Sequence, residues 1–492
     1  MSYTNQSQTP LFDAMVSLAK SRKVSFHTPG HKSGKGISTR FKKFVGPKIF
    51  SIDLTTLDEV DSLQKPKGVI KEAQALAAKS YSADHSFFLL NGTTGGNHAM
   101  ILATCQPGDE VLIARNAHKS ILSGLIFSGA NPTFFSPEMD QDHLLPLNIS
   151  VDAAKAAIDT HPKARVLVLT SPNYYGISAK LEEIITYAHQ RGLIVLVDEA
   201  HGPHFHFHKN LPASAMTAGA DLAVQSTHKI IGGMTQSSML HVKLGRINFA
   251  RLSSVLRMVQ STSPSYILMA SLDLARMQMA TAGEKLLEKV IRLAEDTRRS
   301  INQIPGLFCF DQKTINRHYL QNPFDFDVTK LTIQVRGLGL SGYQVSHLLN
   351  NDHQIQIEMA DPMNILVIVS IGDRQDDLDR LVFALRKISK QFQGRRKTGP
   401  DFNTVALPPY GRATAMGPRE AFFKTQEYLP IAKTEGRVSS QIVTIYPPGI
   451  PILVPGEVIT QEIISYFEKI APCGASIDGL DATNRMGVVC RE

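Results

Sequence analysis

Three segments of the chain hold residues whose types suit anion binding and covalent chemistry at an amine. In residues 91–97, Asn-Gly-Thr-Thr-Gly-Gly-Asn, glycines let the backbone approach an anion and threonine hydroxyls add donors where a helix begins. Asp198 follows an apolar run, and Lys229 ends Ser-Thr-His-Lys after another such run. Pyridoxal 5'-phosphate requires three such parts: a phosphate cradle, a carboxylate for its pyridinium nitrogen, and a lysine that condenses with its aldehyde. The order of these parts therefore predicts that cofactor.

Each segment also has a simpler or a competing interpretation. Taken alone, a glycine-rich turn can be structural and a lysine can lie at the surface. The letters Asp-Glu-Ala-His at residues 198–201 occur in helicases, but a helicase needs a P-loop, and residues 30–36 have the wrong spacing for one. Closely spaced histidines could bind a metal, yet no cysteine or spaced carboxylate completes a site. We therefore predict no metal and a histidine-bearing loop at His201, His204, His206 and His208.

The composition is that of a globular protein. The 492 residues include 52 Lys and Arg against 44 Asp and Glu, a net charge of +8, but the basic residues are scattered, which argues against nucleic-acid binding. No apolar run approaches the roughly 18 residues of a membrane helix. The first residues lack a signal-peptide pattern and the four cysteines are widely separated, so we expect a cytoplasmic protein with free thiols.

The pattern that positions these residues is an alternation of strands and helices from about residue 69. Short apolar runs predict strands at residues 87–90, 110–114, 133–136, 165–170, 193–197 and 222–224. Residues 181–190 predict a helix, because two glutamates lie in its first turn and a glycine follows its end. The alternation predicts an α/β fold with a mostly parallel sheet and helices on both faces.

We predict three regions along the chain. Residues 1–70 form an N-terminal arm, and residues 71–325 form the large, cofactor-binding domain. Residues 326–492 form one or more smaller C-terminal α/β domains, with a linker near residues 393–409. The long helical pattern at residues 266–299 leaves the large domain.

Four further motifs accompany the three segments. They are Thr-Pro-Gly-His-Lys at residues 28–32, Arg-Asn-Ala-His-Lys-Ser at 115–120, Thr-Ser-Pro-Ser-Tyr at 262–266, and Tyr-Pro-Pro-Gly-Ile-Pro at 446–451 with Pro-Gly-Glu at 455–457. With them, the chain resembles the Orn/Lys/Arg decarboxylase family of pyridoxal-phosphate enzymes from about residue 25 to about residue 460. It resembles the shorter, arginine-decarboxylase-like members, which lack the receiver-like domain of the longer ones. The resemblance implies the fold of type I pyridoxal-phosphate transferases and a homodimer or higher homo-oligomer with sites at the interface.

The resemblance implies a role for each matching residue. Lys229 would be bonded covalently to the cofactor, and Asp198 would pair with its pyridine nitrogen. His118 would stack on the ring, and Thr262 and Ser263 would reach the phosphate of the neighbouring subunit. The other expected cofactor-binding residues are Thr94, Gly95 and Ser226 at the phosphate, His228 beside it, and His201. Gly95 replaces a hydroxyl that the family often has in this loop, so its contact would be through the backbone. The expected catalytic residues are Lys229, Asp198, His118 and His228.

The implied activity is decarboxylation of a basic L-amino acid. The short architecture favours arginine, whose product agmatine belongs to polyamine biosynthesis, and lysine and ornithine stay open. The distal cation needs a carboxylate, and Glu457 is the first candidate, ahead of Asp53, Asp58, Glu59 and Asp61. An aminotransferase is the alternative, because Arg336, Arg412 or Arg437 could bind a substrate carboxylate. A binding protein that had lost its cofactor would not retain both Lys229 and Asp198.

Overall fold

The structure is a computed structural model that describes residues 5–21, 23–392, 413–446, 449–471 and 474–491. The predicted linker near residues 393–409 lies outside the described residues, as do Arg412 and residues 447–448 of the proline-rich motif. The chain divides into two compact units. The first comprises Met1–Thr104, Leu196–Lys209 and Ala213–Leu287, and the second comprises Cys105–Val195, Asn210–Pro212 and Glu288–Glu492. The predicted boundaries near residues 70 and 325 stay predictions.

Helices are distributed along the whole described chain. They are α1 (Pro10–Lys20), α2 (Thr39–Val45), α3 (Lys48–Ser51), α4 (Val69–Ser80), α5 (Gly92–Thr104), α6 (Lys119–Ser128), α7 (Val151–Thr160), α8 (Leu181–Gln190), α9 (Thr227–Ile230), α10 (Phe249–Val259), α11 (Tyr266–Ile301), α12 (Gln312–Ile315), α13 (Gly342–His353), α14 (Gln375–Phe392), α15 (Pro418–Phe423) and α16 (Gln461–Ile470). Among the described residues, no helix is both long enough and apolar enough to cross a membrane.

The strands are short, and many are fully buried. They are β1 (His85–Leu89), β2 (Glu110–Ala114), β3 (Asn131–Phe135), β4 (Met139–Asp140), β5 (Leu145–Pro146), β6 (Val166–Thr170), β7 (Ile177–Ser178), β8 (Ile194–Asp198), β9 (Leu222–Gln225), β10 (Ser238–Val242), β11 (Phe308–Cys309), β12 (Asp325–Phe326), β13 (Lys330–Gln334), β14 (Met359–Ala360), β15 (Asn364–Ile368), β16 (Gln426–Pro430), β17 (Val443–Tyr446), β18 (Ile450–Leu453), β19 (Ser476–Asp478) and β20 (Arg485–Val489).

A seven-stranded, mostly parallel sheet of order β1-β10-β9-β8-β6-β2-β3 is the central feature of the fold. Strand β2 is parallel to both β3 and β6, and β8 is parallel to β9. The predicted α/β class with a mostly parallel sheet is therefore confirmed. Strand β10, which is antiparallel to β9 and to β1, is not among the predicted strands. Asp198 is the last residue of β8, and Ser226 directly follows β9, so both lie at carboxyl ends of neighbouring parallel strands.

The predicted helix at residues 181–190 forms as α8. Glu182 and Glu183 lie in its first turn, where their charge is favourable to the helix dipole. Its buried residues are Leu181, Ile184, Ile185 and Ala188, which follow the three- and four-residue spacing of one helix face. The local pattern is therefore sufficient to place this helix.

In the first unit, the N-terminal arm packs against other elements through buried contacts. Leu11 and Met15 of α1 are fully buried in a cluster with residues of α4 and α11. Asp273 of α11 accepts the backbone N–H of Leu11 at 3.1 Å, and Arg276 forms a buried ion pair with Asp273 at 2.6 Å. The arm therefore contributes to the core of this unit, and its definition as a separate region stays a prediction.

The second unit also contains a smaller sheet of order β11-β13-β15-β14. The pairs of β13 with β11 and β15, and of β14 with β15, are antiparallel. Its apolar residues form a core with helices α13 and α14, whose buried residues include Val345, Leu349, Leu381 and Leu385. The predicted α/β character of this C-terminal region is thus observed here as helices packed on an antiparallel sheet.

Candidate active site

The residues of the predicted anion cradle lie at the start of α5. Gly92 has a φ of +62°, which a residue with a side chain rarely adopts. A Cβ atom at Gly96 would lie 2.5 Å from a methyl group of Val224, so glycine lets the first turn of α5 lie directly on β9. The hydroxyls of Thr93 and Ser226 lie 3.2 Å apart. Helix N–H groups and hydroxyls from two elements therefore converge, as phosphate binding requires.

The sequence predicts Thr94 and Gly95 as phosphate-binding residues, whereas Thr93 is not singled out there. All three lie in the first turn of α5, and Thr93 is the one whose hydroxyl contacts Ser226. A signal for Thr93 exists, because it belongs to the same Gly-Thr-Thr-Gly segment. Which threonine hydroxyl points toward Ser226 depends on the rotation of the helix about its axis, and the amino-acid sequence alone does not define that rotation.

Asp198 is 3% exposed at the end of β8. Its carboxylate accepts hydrogen bonds from Asn97 Nδ2 at 2.8 Å and from the backbone N–H of Ala200 at 3.1 Å. Asn97 is the last residue of the glycine-rich segment and is itself buried in α5. The sequence does not predict its role in orienting Asp198, because that role depends on how α5 packs on the sheet.

Lys229 lies in the short helix α9, with its Nζ 2.9 Å from Nε2 of His201. His228 Nδ1 lies 2.9 Å from the carbonyl oxygen of Ser237, so Nδ1 carries the proton and donates. The cradle, Asp198 and Lys229 all belong to the first unit. Their donors and acceptors are a lysine amine, a buried carboxylate and the hydroxyls at a helix start. This set fits pyridoxal 5'-phosphate.

Thr262 and Ser263 lie in the loop between α10 and α11. Both are exposed in the single chain. Gln64 Nε2 donates to the carbonyl oxygen of Ser261 at 3.0 Å, which attaches this loop to the arm. The loop is thus available for contact with a second chain.

His118 belongs to the second unit, where it caps α6. Its Nδ1 accepts the N–H of Ser120 at 3.2 Å and lies 2.8 Å from the Ser120 hydroxyl. The proposed stacking of His118 on a pyridine ring stays a prediction.

Glu457, the first candidate for binding a substrate cation, has a different set of partners in the structure. Its side chain is 4% exposed and forms an ion pair at 2.9 Å with Arg115, whose side chain is equally buried. Glu457 Oε2 also accepts the N–H of Val454 at 2.9 Å. Because this carboxylate is buried and already paired with an arginine, its geometry favours a structural role. The predicted contact of Glu457 with a substrate cation stays a prediction.

The weaker substrate candidates lie in the first unit, and three of them have partners. Asp53 pairs with His31 at 3.0 Å, and Glu59 pairs with Lys23. Asp61 accepts backbone N–H groups of Lys67, Gly68 and Ile70 at the start of α4. Asp58 is exposed at the start of a single 3-10 turn, Asp58–Val60.

The predicted histidine loop does not bring its side chains to one point. His201 faces Lys229, whereas His206 lies near Tyr81, with ring centroids 6.2 Å apart. Within the described residues, no group of three or more His, Cys, Asp or Glu side chains has the arrangement of a metal site.

Comparison with protein families identifies the chain. The family described as Orn/Lys/Arg decarboxylase, major domain, matches residues 9–377, and its C-terminal domain matches residues 409–489. The chain belongs to the Orn/Lys/Arg decarboxylase family. Its enzymes are pyridoxal-phosphate-dependent decarboxylases, so the resemblance seen in the sequence is confirmed.

Similar proteins in this family carry two different names. An arginine decarboxylase of Bacillus subtilis (strain 168) is 43% identical over 489 residues, which is 99% of this chain and 99% of the relative. An arginine decarboxylase of Bacillus anthracis is 42% identical over 96% of this chain and 95% of that protein. The lysine decarboxylase LdcA of Pseudomonas aeruginosa is 27% identical over 96% of this chain and 77% of the relative. The arginine decarboxylases are thus the more similar of these proteins.

Solved structures with the same fold include members of this family and aminotransferases. The lysine decarboxylase LdcF of Francisella novicida superposes with a TM-score of 0.85 at 23% identity, over 98% of this chain and 80% of that one. An alanine–glyoxylate aminotransferase of Nostoc sp. superposes with a TM-score of 0.51 at 19% identity, over 66% of this chain and 88% of that one. The fold is therefore that of type I pyridoxal-phosphate enzymes.

Proposed function

We propose that this chain catalyses the α-decarboxylation of arginine to agmatine, with pyridoxal 5'-phosphate bound at Lys229. The 43% identity to an arginine decarboxylase over 99% of both chains is the observation that most supports this substrate. Lysine and ornithine are the alternative substrates, and lysine is supported by the more distant relative named for it. Agmatine production would place the enzyme in polyamine biosynthesis. The buried thiols of Cys105 and Cys309 support a reducing, cytoplasmic location.

In the proposed site, each residue has a distinct task. When bound, the cofactor supplies an electron-withdrawing ring that accepts the electron pair left on Cα after carbon dioxide departs. Asp198 holds a negative charge where the pyridine nitrogen would lie, and Asn97 orients that carboxylate. The hydroxyls of Thr93, Thr94 and Ser226 and the N–H groups at Gly95 would bind the phosphate, with His228 beside them and His118 against the ring.

Lys229 and His201 form a pair that can move a proton at a defined atom. A lysine amine must lose a proton before it can attack an aldehyde, because the ammonium has no lone pair. His201 Nε2 lies 2.9 Å from Lys229 Nζ and can accept that proton. We therefore assign His201 to proton exchange with Lys229.

An aminotransferase is less well supported than a decarboxylase. A guanidinium that binds the substrate carboxylate would stabilise the ground state against loss of carbon dioxide. Of the candidate arginines, Arg437 is occupied by Glu427 and by the carbonyl oxygen of Val489. Arg336 begins a short helical turn in the second unit, and Arg412 lies outside the described residues. No contact of these arginines supports carboxylate binding in the described chain.

We also propose that the active form is at least a homodimer. Thr262 and Ser263 are exposed in the single chain and belong to the motif whose counterpart in the family contributes to the neighbouring subunit's site. Exposure of a matching motif supports a role in a second chain's phosphate site.

Product analysis tests the proposed activity directly. Purified enzyme with pyridoxal 5'-phosphate is incubated separately with arginine, lysine, ornithine and glutamate, and released carbon dioxide and amine products are measured. We expect carbon dioxide and agmatine from arginine at the highest kcat/KM. A higher kcat/KM for lysine or ornithine would change the assigned substrate but leave the assigned reaction, decarboxylation, unchanged. Dominant keto-acid formation, or consumption of glutamate in preference to the basic amino acids, would contradict the proposed function.

A further inference from the structure

A line of buried polar side chains crosses the sheet behind Asp198. Glu199 follows β8, Gln225 ends β9, and His241 and Ser86 lie in β10 and β1. Gln225 Nε2 donates to Glu199 Oε2 at 2.6 Å, His241 Nε2 lies 3.1 Å from Gln225 Oε1, and Ser86 Oγ lies 2.7 Å from His241 Nδ1. Each of these side chains is at most 4% exposed. Since successive strand residues point to opposite faces, this line lies on the face opposite Asp198.

The polarity of this line depends on a single proton. Ionised Glu199 accepts from the Gln225 amide, whose oxygen accepts from His241 Nε2, while His241 Nδ1 accepts from the Ser86 hydroxyl. Protonated Glu199 donates instead, and a 180° turn of the Gln225 amide lets its nitrogen donate to His241 Nε2. His241 Nδ1 then donates to Ser86. The Gln225 amide in the structure has the orientation that matches ionised Glu199, and the turned amide gives every member of the line a partner when Glu199 is neutral.

The surroundings of Glu199 favour the neutral arrangement. Among the described residues, no lysine or arginine forms an ion pair with its fully buried carboxyl, and an isolated buried charge is costly. Burial raises the pKa of Glu199 to about 8, and the neighbouring charge of Asp198 acts in the same direction. Burial lowers the pKa of His241 to about 3. Both shifts therefore favour the uncharged forms of these groups at neutral pH.

Glu199 also connects the segment after β8 to the turn that begins at Ala215. Its Oε1 accepts the N–H of Ala215 at 2.7 Å, and its backbone oxygen accepts the N–H of Gly202 at 2.9 Å. His201, which contacts Lys229, lies between Glu199 and Gly202. Gly202 lies so close that an added Cβ would be 2.8 Å from the Glu199 Cγ atom. The position of His201 thus depends on the conformation of Glu199.

We propose that Glu199, in its neutral form, is a positioning residue for the pocket formed by Asp198, His201 and Lys229. The proposal rests on the proposed function, because that function gives these three residues their tasks. Neutral Glu199 accepts from Ala215 and donates to Gln225, which holds the turn bearing His201 on the sheet. It also avoids a second negative charge directly beside Asp198. Ionisation of Glu199 exchanges the donor and acceptor roles along the line and adds a negative charge next to Asp198.

Several ionisable groups on neighbouring elements bear on the response of Glu199 to pH. Asp198 is adjacent in sequence, His241 lies further along the line, and Tyr81 stacks on His241 with ring centroids 4.4 Å apart. Beyond these, His206 acts on His241, and Arg276 of the Arg276–Asp273 pair acts on Tyr81. Arg276 is already neutralised by Asp273 at 2.6 Å. The remaining neighbours include the negative Asp198, so they favour the uncharged acid. Ionisation is therefore expected only when the pH rises toward 8.

Two substitutions at Glu199 separate positioning from simple packing. In Glu199→Gln, the amide oxygen accepts from Ala215 and the amide nitrogen donates to Gln225, so this variant imitates the neutral acid but does not titrate. In Glu199→Ala, both contacts are lost. Asp361→Asn in the second unit is the matched control, because burial also raises the pKa of the Asp361 carboxyl.

Hydrogen exchange of the full-length protein at pH 7 is the readout that does not require activity. We expect peptides covering residues 200–215 to exchange at least tenfold faster in Glu199→Ala, and at the wild-type rate in Glu199→Gln and Asp361→Asn. The absorbance spectrum of the bound cofactor between pH 6 and pH 9 is the second readout. Wild type and Asp361→Asn should show a transition near pH 8 that Glu199→Gln lacks.

Each result either supports or overturns the proposal. Wild-type exchange and spectrum in Glu199→Ala would overturn the positioning role. The role of the neutral form would be overturned if the cofactor absorbance of wild type showed no transition near pH 8. It would also be overturned if Glu199→Gln showed the same transition as wild type. If wild type bound no cofactor, the proposed function would fail, while hydrogen exchange in residues 200–215 would still decide whether Glu199 positions this segment.

Discussion

Removal of the Glu457 carboxylate should destabilise the second unit strongly. The Glu457–Arg115 pair is formed at 2.9 Å with both side chains 4% exposed. Arg115 also donates to the carbonyl oxygen of Ile452 at 3.1 Å and lies over the ring of Phe134, 4.7 Å from its centroid. In Glu457→Ala, the guanidinium stays buried without its counter-charge. Breaking a buried pair in this way costs about 3–5 kcal/mol of unfolding free energy.

The conservative variant and the partner variant refine this magnitude. Glu457→Gln keeps an oxygen that can accept from Arg115 and from Val454 but loses the charge, so we expect a loss of about 1.5–3 kcal/mol. Arg115→Ala leaves the buried carboxylate without its cation and should cost as much as Glu457→Ala. The double variant removes both charges, so its loss should be smaller than the sum by about 0.5–3 kcal/mol.

Urea unfolding followed by far-ultraviolet circular dichroism measures these losses, since the chain contains no tryptophan for fluorescence. Asp478→Ala is the matched control. Its partner Lys119 also lies 2.9 Å away, but the two side chains are 54% and 42% exposed, so the expected loss is about 0–1 kcal/mol. If Glu457→Ala were no more destabilised than this control and instead raised KM for arginine about tenfold, Glu457 would bind substrate and the structural role would be wrong.

Four further predictions concern the first unit. Lys229→Ala should abolish turnover and lose the visible absorbance band after dialysis; a variant that kept both would show that another lysine binds the cofactor. Asp198→Asn should retain cofactor but lose activity by about two to three powers of ten, and near-normal kcat would remove Asp198 from its role. Inactive Lys229→Ala mixed with an inactive Thr262→Ala/Ser263→Ala variant should recover activity, because a mixed dimer contains one intact site; a fully active monomer would contradict shared sites. The pKa of Glu199 is about 8 in the folded protein and 4.5 in the ordinary state, so its stabilising contribution is complete below pH 4.5 and lost by about pH 8. The unfolding free energy of wild type relative to Glu199→Gln should therefore fall over that window by at most about 1.4 kcal/mol per pH unit, and a flat difference in urea titrations would refute this.

The amino-acid sequence by itself determines the main elements of the proposed site. The segment at residues 91–97, Asp198 and Lys229 each sit where an apolar run ends, and parallel strands bring such ends to one edge of a sheet. Strand and helix periodicity, with glycine and acidic residues at helix ends, is sufficient for the α/β class and for α8. These features depend on local spacing, which a sequence displays directly.

The partners of the buried polar groups are decided only by the tertiary structure. Glu457 and Arg115 are separated by 342 positions, and no local pattern distinguishes a carboxylate that binds substrate from one that binds an arginine. The line from Glu199 to Ser86 requires β10 between β9 and β1 in one particular register, and β10 is not predicted by the sequence pattern. Asn97 reaches Asp198 only because α5 lies on the sheet. A sequence shows which groups are polar, but register and packing decide which of them meet, since each buried donor must find its acceptor in three dimensions.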